Sequence, residues 1–129
     1  MEPFVVFGFH LLGYDLWFFA SHIVFHKVPW AWEIHKIHHE KRFPIWKDTY
    51  HAHWIEGPIQ SLGFALPWLL GYWSWTASFF AFAVAQIRGL ARHDPRMNWL
   101  VGNHHLLHHQ LYTVNYGEPW LDKVWGTHA

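Results

Sequence analysis

The stretch HKIHH at residues 35–39 places three histidines at positions i, i+3 and i+4, a spacing that brings side chains onto one face of an α-helix. The stretch HLLHH repeats this pattern at residues 105–109, and HIVFH at residues 22–26 adds two histidines one turn apart. Eight of the 14 histidines lie in these three boxes. Because two or three imidazoles on one helix face can share a metal ion, the sequence predicts a fold that brings the boxes together.

The composition excludes several classes of protein. The chain has 129 residues, enough for one domain, and its net charge of zero argues against a nucleic-acid partner held by charge. It contains no cysteine, which excludes disulfides and thiolate metal sites. Of its residues, 52% are hydrophobic, 21% are aromatic and only 14% are charged, against a usual charged fraction of about 25%. This balance indicates a membrane protein with an aromatic interfacial belt.

The first apolar stretch predicts an N-terminal transmembrane helix over residues 4–25, about the length needed to cross a bilayer. No cleavable signal peptide is expected, because the chain lacks a basic start and the stretch runs directly into the first box. Asp15 is the only charged residue between positions 4 and 21. It shares a helical face with His22 and His26, and a carboxylate within a membrane span is usually functional.

Residues 57–87 contain no Asp, Glu, Lys, Arg or His and form the strongest membrane signal in the chain. Pro67 and Gly71 interrupt the middle of this stretch. All nine Lys and Arg residues lie outside the apolar stretches, so a single crossing would put basic groups and histidine boxes on opposite sides of the membrane. The sequence therefore predicts an apolar helical hairpin that returns to the side from which it started.

The remaining segments complete an all-α membrane protein with a single domain over residues 1–129. Pro29 introduces a second helix over residues 30–40, residues 42–50 read as a loop, and a third histidine-bearing helix is expected over residues 98–111. The predicted chain is integral and multi-pass. Its histidine-bearing helices form a metal site on one face of the membrane, expected to be the cytoplasmic one.

The three boxes supply more nitrogen ligands than one metal ion needs and suit two ions. His53 and His93 would raise the number of ligands from eight to ten, while His51 and His104 remain open alternatives and His10 and His128 are expected to be ordinary residues. Imidazole accepts Fe, Zn, Cu or Ni, so ligand type alone leaves the metal open. Ligand histidines usually donate their second N–H to a carboxylate or carbonyl. The candidate carboxylates are Asp15, Glu56, Asp94 and Asp122.

The ordered set of boxes resembles the fatty acid hydroxylase and sterol desaturase superfamily of integral-membrane di-iron enzymes. DLWFF at residues 15–19, followed by His22 and His26, resembles the first box of that family, and residues 35–39 resemble the second. YHAHWIE at residues 50–56 resembles an H-P-x-E element in which Trp54 replaces proline, so the choice between His51 and His53 stays open.

The resemblance continues to the end of the chain. His93 resembles the histidine that precedes the last box, and residues 105–109 match that box. NYG at residues 115–117 and LDKVWGT at residues 121–127 resemble the tail of the family. The ligands that the resemblance supports are His22, His26, His35, His38, His39, His53, His93, His105, His108 and His109, with Asp15, Glu56 and Asp122 as the carboxylates that hold ligands in place.

The resemblance implies a centre of two iron ions, with O₂ as co-substrate, that hydroxylates or desaturates an unactivated C–H bond of a fatty-acyl, sterol or related lipid. It implies a lipid substrate, a separate redox protein as electron donor, and a membrane. Family members usually have about twice this length, which leaves three alternatives open: the lipid-enclosing part is reduced, an oligomer or a partner chain completes it, or this sequence is a fragment. Two alternatives remain: a structural or assembly subunit of a larger membrane complex, and a zinc or other non-redox membrane hydrolase.

Overall fold

A computed structural model describes residues 2–129, and every regular element in that range is helical. Short 3₁₀ turns at Trp46–Tyr50, Leu62–Ala65 and Pro95–Met97 connect the α-helices. The eight α-helices in the described range are α1 (Pro3–Lys27), α2 (Pro29–His39), α3 (Glu56–Ser61), α4 (Leu66–Leu69), α5 (Trp75–Arg92), α6 (Asn98–Val101), α7 (His104–Leu111) and α8 (Pro119–Trp125).

Helix α1 is the central element, and it contacts α2, α3, α4 and α5. Pro3 occupies its first turn, where the missing N–H costs nothing, and Val28 ends it in extended backbone directly before Pro29. The sharp bend at this point folds α2 back beside the end of α1. The bend therefore brings the first and second histidine boxes together.

Residues 57–87 are interrupted by a turn at Gly71, and the two arms on either side of it differ, while their arrangement as a membrane hairpin stays a prediction. The first arm, which we call the descending arm, is broken into α3, the 3₁₀ turn Leu62–Ala65 and α4. The second arm is the single continuous helix α5, which extends to Arg92. Gly71 has a φ of 83°, which glycine adopts at no steric cost. His10 of α1 contacts both arms, with Nδ1 2.6 Å from the carbonyl oxygen of Phe64 and Nε2 2.8 Å from Ser78 Oγ.

The prediction of one continuous histidine-bearing helix over residues 98–111 is wrong. The chain forms α6, breaks at Gly102 and Asn103, and begins again as α7. Gly102 has a φ of 73°, outside the helical range, and this break redirects α7. The redirected α7 carries His105, His108 and His109 to the ends of α1, α2 and α5.

The buried apolar core is small. One cluster joins Phe19, Tyr116 and Leu121, and a second joins Phe64, Ala81 and Ala85. Large apolar side chains instead remain exposed along α1, along α5 and around the turn between them. Among residues 2–129, α1 alone has the length and apolar composition to cross a membrane, a test that signal sequences also meet, so the multi-pass topology stays a prediction.

Helix α1 approaches the descending arm through two glycines. A Cβ on Gly13 would lie 2.5 Å from the carbonyl oxygen of Gly63, and a Cβ on Gly63 would lie 2.5 Å from the carbonyl oxygen of Gly13. Both obstacles are backbone atoms, so neither can move aside as a flexible side chain could. The two segments therefore pack at this distance only because both positions lack a side chain.

We expect Gly13→Ala to destabilise the protein by about 1–3 kcal/mol, the usual cost of overpacking. Gly8→Ala is the matched control in the same helix, because nothing lies within 4 Å of its added Cβ. The control should be neutral or stabilising by up to about 1 kcal/mol, since alanine favours helix more than glycine does. Thermal unfolding of both variants in detergent micelles tests this contact, and equal midpoints would contradict it.

Candidate metal centre

Nine histidines meet in two adjacent groups where α1, α2, α5 and α7 converge. Within each group, one nitrogen from every ring lies within 4.8 Å of the others. The first group contains His22, His26, His35, His39 and His108, and the second contains His38, His93, His105 and His109.

The boxes are shared between the groups. Helix α2 gives His35 and His39 to the first group and His38 to the second, because adjacent residues point about 100° apart around a helix. Helix α7 likewise gives His108 to the first group and His109 to the second. Each H-x-x-H-H box therefore joins the two groups, and the groups cannot move apart without bending α2 or α7.

Backbone carbonyls fix the orientation of most of these rings. His22 Nδ1 lies 2.5 Å from the carbonyl oxygen of Tyr116, and His93 Nδ1 lies 2.8 Å from that of Gly89. Nδ1 of His38, His108 and His109 is held in the same way by the carbonyl oxygens of His51, Val114 and Lys41. A carbonyl can only accept, so each of these Nδ1 atoms carries the proton, and the neutral ring presents an unprotonated Nε2.

The resulting tautomers fit metal ligation. His22 and His35 have their Nε2 atoms 3.0 Å apart, and His38 and His93 have theirs 3.1 Å apart. In both pairs the two nitrogens offer lone pairs and no proton, so neither contact is a hydrogen bond. Nε2 of His108 and Nε2 of His109 are buried with no hydrogen-bond partner among the described residues. A cation in each group would satisfy these nitrogens at once.

Burial keeps these imidazoles neutral. Desolvation lowers the pKa of His35 to about 4, and it lowers the pKa of His93 to about 3 with the help of the nearby His38. His38 and His108 shift in the same direction, chiefly through burial. Since a metal competes with protons for the ring nitrogen, ligands that are already neutral at pH 7 favour binding.

Glu56 holds one of the grouped histidines directly. His35 Nδ1 donates to its Oε2 at 2.7 Å, and the carboxyl group is almost fully buried at the start of α3. Burial raises the pKa of Glu56 to about 7. The contact places Glu56 against a candidate ligand, and its role as a carboxylate that orients a metal ligand stays a prediction.

Asp122 supports His22 indirectly, through the loop that contains Tyr116. Its carboxylate accepts hydrogen bonds from the backbone N–H groups of Tyr116 and Gly117 at 2.8 and 2.9 Å and from Thr127 Oγ1 at 2.6 Å. The carbonyl of Tyr116 in turn holds His22. Asp122 therefore fixes the loop that carries an acceptor, and the NYG and LDKVWGT motifs meet at this carboxylate.

Asp15 lies away from both groups and forms part of a charged network. Arg88 bonds to Asp15 and lies 3.2 Å from Glu118, while Arg92 binds both carboxylate oxygens of Glu118. The network contains two positive and two negative groups, so its charges balance. The network joins α1, α5 and the residue directly before α8.

The other candidate histidines take different places. His53 belongs to neither group; its Nδ1 accepts from the Ile55 amide, and its assignment as a ligand stays a prediction. The ring of His51 pairs with Glu40 at the surface, and His104 bonds to Asp122. His10 is fully buried between the hairpin arms, and His128 is exposed.

A cavity of about 290 Å³ opens onto both histidine groups. His22 and His35 of the first group and His38, His93 and His105 of the second are among the residues that line it. Its walls are formed in part by Tyr14, Phe18, Ala85 and Trp54, together with the charged network described above. A molecule in this cavity would contact ligands of both groups at the same time.

Sequence reasoning missed the carbonyl acceptors and the charged network. The carbonyls carry no residue-specific signal, because any side chain can accompany them. Arg88 and Arg92 were visible only as basic residues at the end of the uncharged stretch, although their i, i+4 spacing puts them on one face of α5.

Comparison with known proteins agrees with the histidine pattern. A model of the fatty acid hydroxylase family matches residues 7–127. A Delta(7)-sterol 5(6)-desaturase of Gibberella zeae is 31% identical over 105 residues, which are 74% of this chain and 32% of the relative. A Dictyostelium discoideum protein assigned by name to the methylsterol monooxygenases is 27% identical over 128 residues, which are 88% of this chain and 46% of the relative.

The chain spans less than half the length of these two curated relatives, 32% of one and 46% of the other. No solved structure matches it.

We expect the protein to bind two metal ions per chain and His109→Ala to reduce this to about one, since only the second group loses a ligand. His51→Ala is the matched control, because its ring lies outside both groups and the backbone carbonyl that holds His38 remains. Metal content is measured by mass spectrometry after purification. Two ions in His109→Ala would contradict the grouping, and a loss in His53→Ala would add His53 to the ligands.

The metal-free protein should lose stability as the pH falls below about 6.5. His35, His38, His93 and His108 have folded-state pKa values below the unfolded value, so the unfolded state binds more protons in this range. The loss should continue until the pH passes their folded values of about 3 to 4. Tryptophan fluorescence during heating measures the midpoint temperature of unfolding. A midpoint temperature that stays constant between pH 7 and 5 would contradict the expectation.

Glu56 provides the control for this pH dependence. Folding raises the pKa of Glu56, whereas it lowers the pKa values of the histidines. The contribution of Glu56 to stability is therefore present at low pH and is lost as the pH rises through about 7. Glu56→Gln removes this opposing contribution and keeps an oxygen acceptor for His35. Acidification from pH 7 should therefore lower the unfolding midpoint more steeply in the variant than in the natural chain.

Proposed function

Since the chain belongs to the fatty acid hydroxylase family, we propose that it is a membrane-bound lipid oxidoreductase with a di-iron centre. The observation that carries the proposal is the arrangement of five and four histidine nitrogens in two groups that share one cavity. The membership supports lipid modification as the general activity. The two irons, O₂ as co-substrate and the electron-donor protein belong to the proposal.

The nine grouped histidines would hold the ions. A di-iron centre supplies activation of O₂, with two electrons from a separate redox protein, and removal of hydrogen from an unactivated C–H bond of the lipid. The product is a hydroxylated or desaturated fatty-acyl, sterol or related lipid. No side chain is required as a general base, since the protein holds the ions and positions the lipid.

The residues around the groups have three tasks in this proposal. Glu56 and the loop fixed by Asp122 hold His35 and His22 in place through their Nδ1 protons. Tyr14, Phe18 and Ala85 give the cavity an apolar wall for a hydrocarbon chain. The uncharged stretch over residues 57–87 and α1 would place this wall within the bilayer, which makes the protein integral and multi-pass with its metal site on one face.

We expect protein purified anaerobically from iron-replete cells to contain about two irons per chain, with one ion in each histidine group. Overexpression should change the hydroxylated or desaturated lipids of the host. His38→Ala should keep about one iron, because only the second group loses a ligand, and should lose the lipid change, whereas His128→Ala, at an exposed position, should keep both irons and the lipid change. Iron-free protein from this preparation would exclude the proposal, and zinc with hydrolysed lipid would indicate a non-redox hydrolase instead.

A second candidate is a structural or assembly subunit of a larger membrane complex. It is favoured by the extensive exposed apolar surface, which partner chains could cover. Such a protein should co-purify with other chains in fixed ratio, and His38→Ala should leave that ratio unchanged. Loss of the lipid product in His38→Ala, with the assembly unchanged, would favour the enzyme.

A further inference from the structure

The exposed residues of the cavity lining lie close together in the sequence. Of its lining residues, only Tyr50, Trp54 and Gly57 are exposed. On the opposite edge stands Gln86 of α5, whose Oε1 accepts a hydrogen bond from the Tyr50 hydroxyl at 2.8 Å. We use the term mouth for these four residues. The mouth lies between the loop over residues 43–54 and α5, at the side of the helical bundle.

The position of the mouth along the hairpin is informative. Gly57 is the first residue of the uncharged stretch over residues 57–87, and Gln86 is the next to last. Both arms of the hairpin therefore end beside the mouth. If the uncharged stretch lies in a bilayer, its two ends lie at the boundary between hydrocarbon and headgroups. The mouth then opens at that boundary and not into bulk water.

The loop over residues 43–54 presents apolar side chains outward. Phe43 is 73% exposed, Tyr50 64% and Trp54 76%, and these values are high for aromatic residues in a loop that packs against α5. Ile45 and Trp46 are exposed as well. Aromatic side chains with one polar edge are enriched where hydrocarbon meets headgroups.

Basic groups are interleaved with these aromatics. The Arg42 guanidinium lies 5.8 Å from the centre of the Phe43 ring, and Lys47 Nζ lies 5.7 Å from the centre of the Trp46 ring. Asp48 is the acidic residue of the loop, and it accepts a hydrogen bond from the Ile45 amide. Exposed cations beside exposed aromatics match an anionic lipid surface, where each basic residue contributes about 1 kcal/mol.

We propose that residues 43–54 rest in the headgroup layer of a bilayer, and that lipid passes sideways from the bilayer into the cavity through the mouth. The occupant of this surface is the lipid bilayer itself, with a preference for anionic headgroups. The inference rests on the proposed function, because it takes the substrate to be a membrane lipid. It adds the route by which that lipid reaches the histidine groups, and it assigns Tyr50, Trp54 and Gln86 to that route.

The absence of cysteine from the chain permits a clean depth measurement. Three single-cysteine variants of the metal-loaded protein carry a nitroxide label in phosphatidylcholine vesicles, with and without phosphatidylglycerol. Trp54→Cys reports on the loop, Phe80→Cys on the exposed face of α5, and Lys36→Cys on the exposed polar side of α2. Collision rates with oxygen and with a water-soluble nickel complex give the depth of each label.

The Trp54→Cys label should be shielded from nickel relative to the Lys36→Cys label, and phosphatidylglycerol should increase that shielding. A Trp54→Cys label as open to nickel as the Lys36→Cys label would overturn the proposal. If the Phe80→Cys label is shielded in that case, the membrane part of the proposed function still stands. If it is also open to nickel, both ideas fail. Dipolar broadening at Trp54→Cys that disappears on dilution with unlabelled chain would assign the surface to a second copy and overturn the proposal.

A second experiment tests the route. In Tyr50→Cys/Gln86→Cys, a bis-maleimide joins the two edges of the mouth, and a monofunctional maleimide on the same variant is the matched control. A fatty acid with a photoactivated diazirine, incorporated in the vesicles, should label cavity peptides in the control and only at background level after cross-linking. Metal content should be equal in both samples. Unchanged labelling of the cavity after cross-linking would show that lipid takes another path.

Discussion

The structure depends on hydrogen bonds from histidine Nδ1 atoms to backbone carbonyls and to Glu56. Each bond fixes both the orientation of a ring and its tautomer, so that Nε2 lone pairs converge in the two groups. The acceptors come from distant parts of the chain: Lys41 holds His109, and Tyr116 holds His22. Folding therefore has to complete every loop around the site before the ligands are in place. This makes the candidate metal centre a property of the whole chain and not of three separate boxes.

The same constraint explains why the sequence predicts some residues of the site and not others. Helical spacing places His35, His38 and His39 on one side of α2, and family resemblance adds His93, so nine of the ten proposed ligands fall within the two groups. His53 lies in an irregular segment, where spacing carries no directional information. Its neighbour His51 contributes a backbone carbonyl to His38, a role that its side chain could not reveal.

The fold was predictable where a local rule decides it. Pro29 marks the bend between α1 and α2, and Gly71 lies at the return of the hairpin. The break at Gly102 was missed because a single glycine is tolerated within a helix, and only the need to aim α7 at the other boxes requires it here. The contact between Gly13 and Gly63 is likewise invisible in sequence, since nothing local pairs two residues fifty positions apart.

The polar groups outside the metal centre show how an apolar scaffold positions such a site. Asp15, Arg88, Arg92 and Glu118 are largely buried, and charges in that setting persist only when they are paired. Their pairing fixes α5 against α1 at Asp15, about two helical turns before His22. His10 lies about a turn and a half further towards the start of α1 and fixes both hairpin arms. The apolar core alone is too small to set these helices at a defined angle, because most of the large apolar side chains face outward. The charged network and His10 therefore hold the helices that carry the ligands, and they leave the outward apolar surface free to contact lipid.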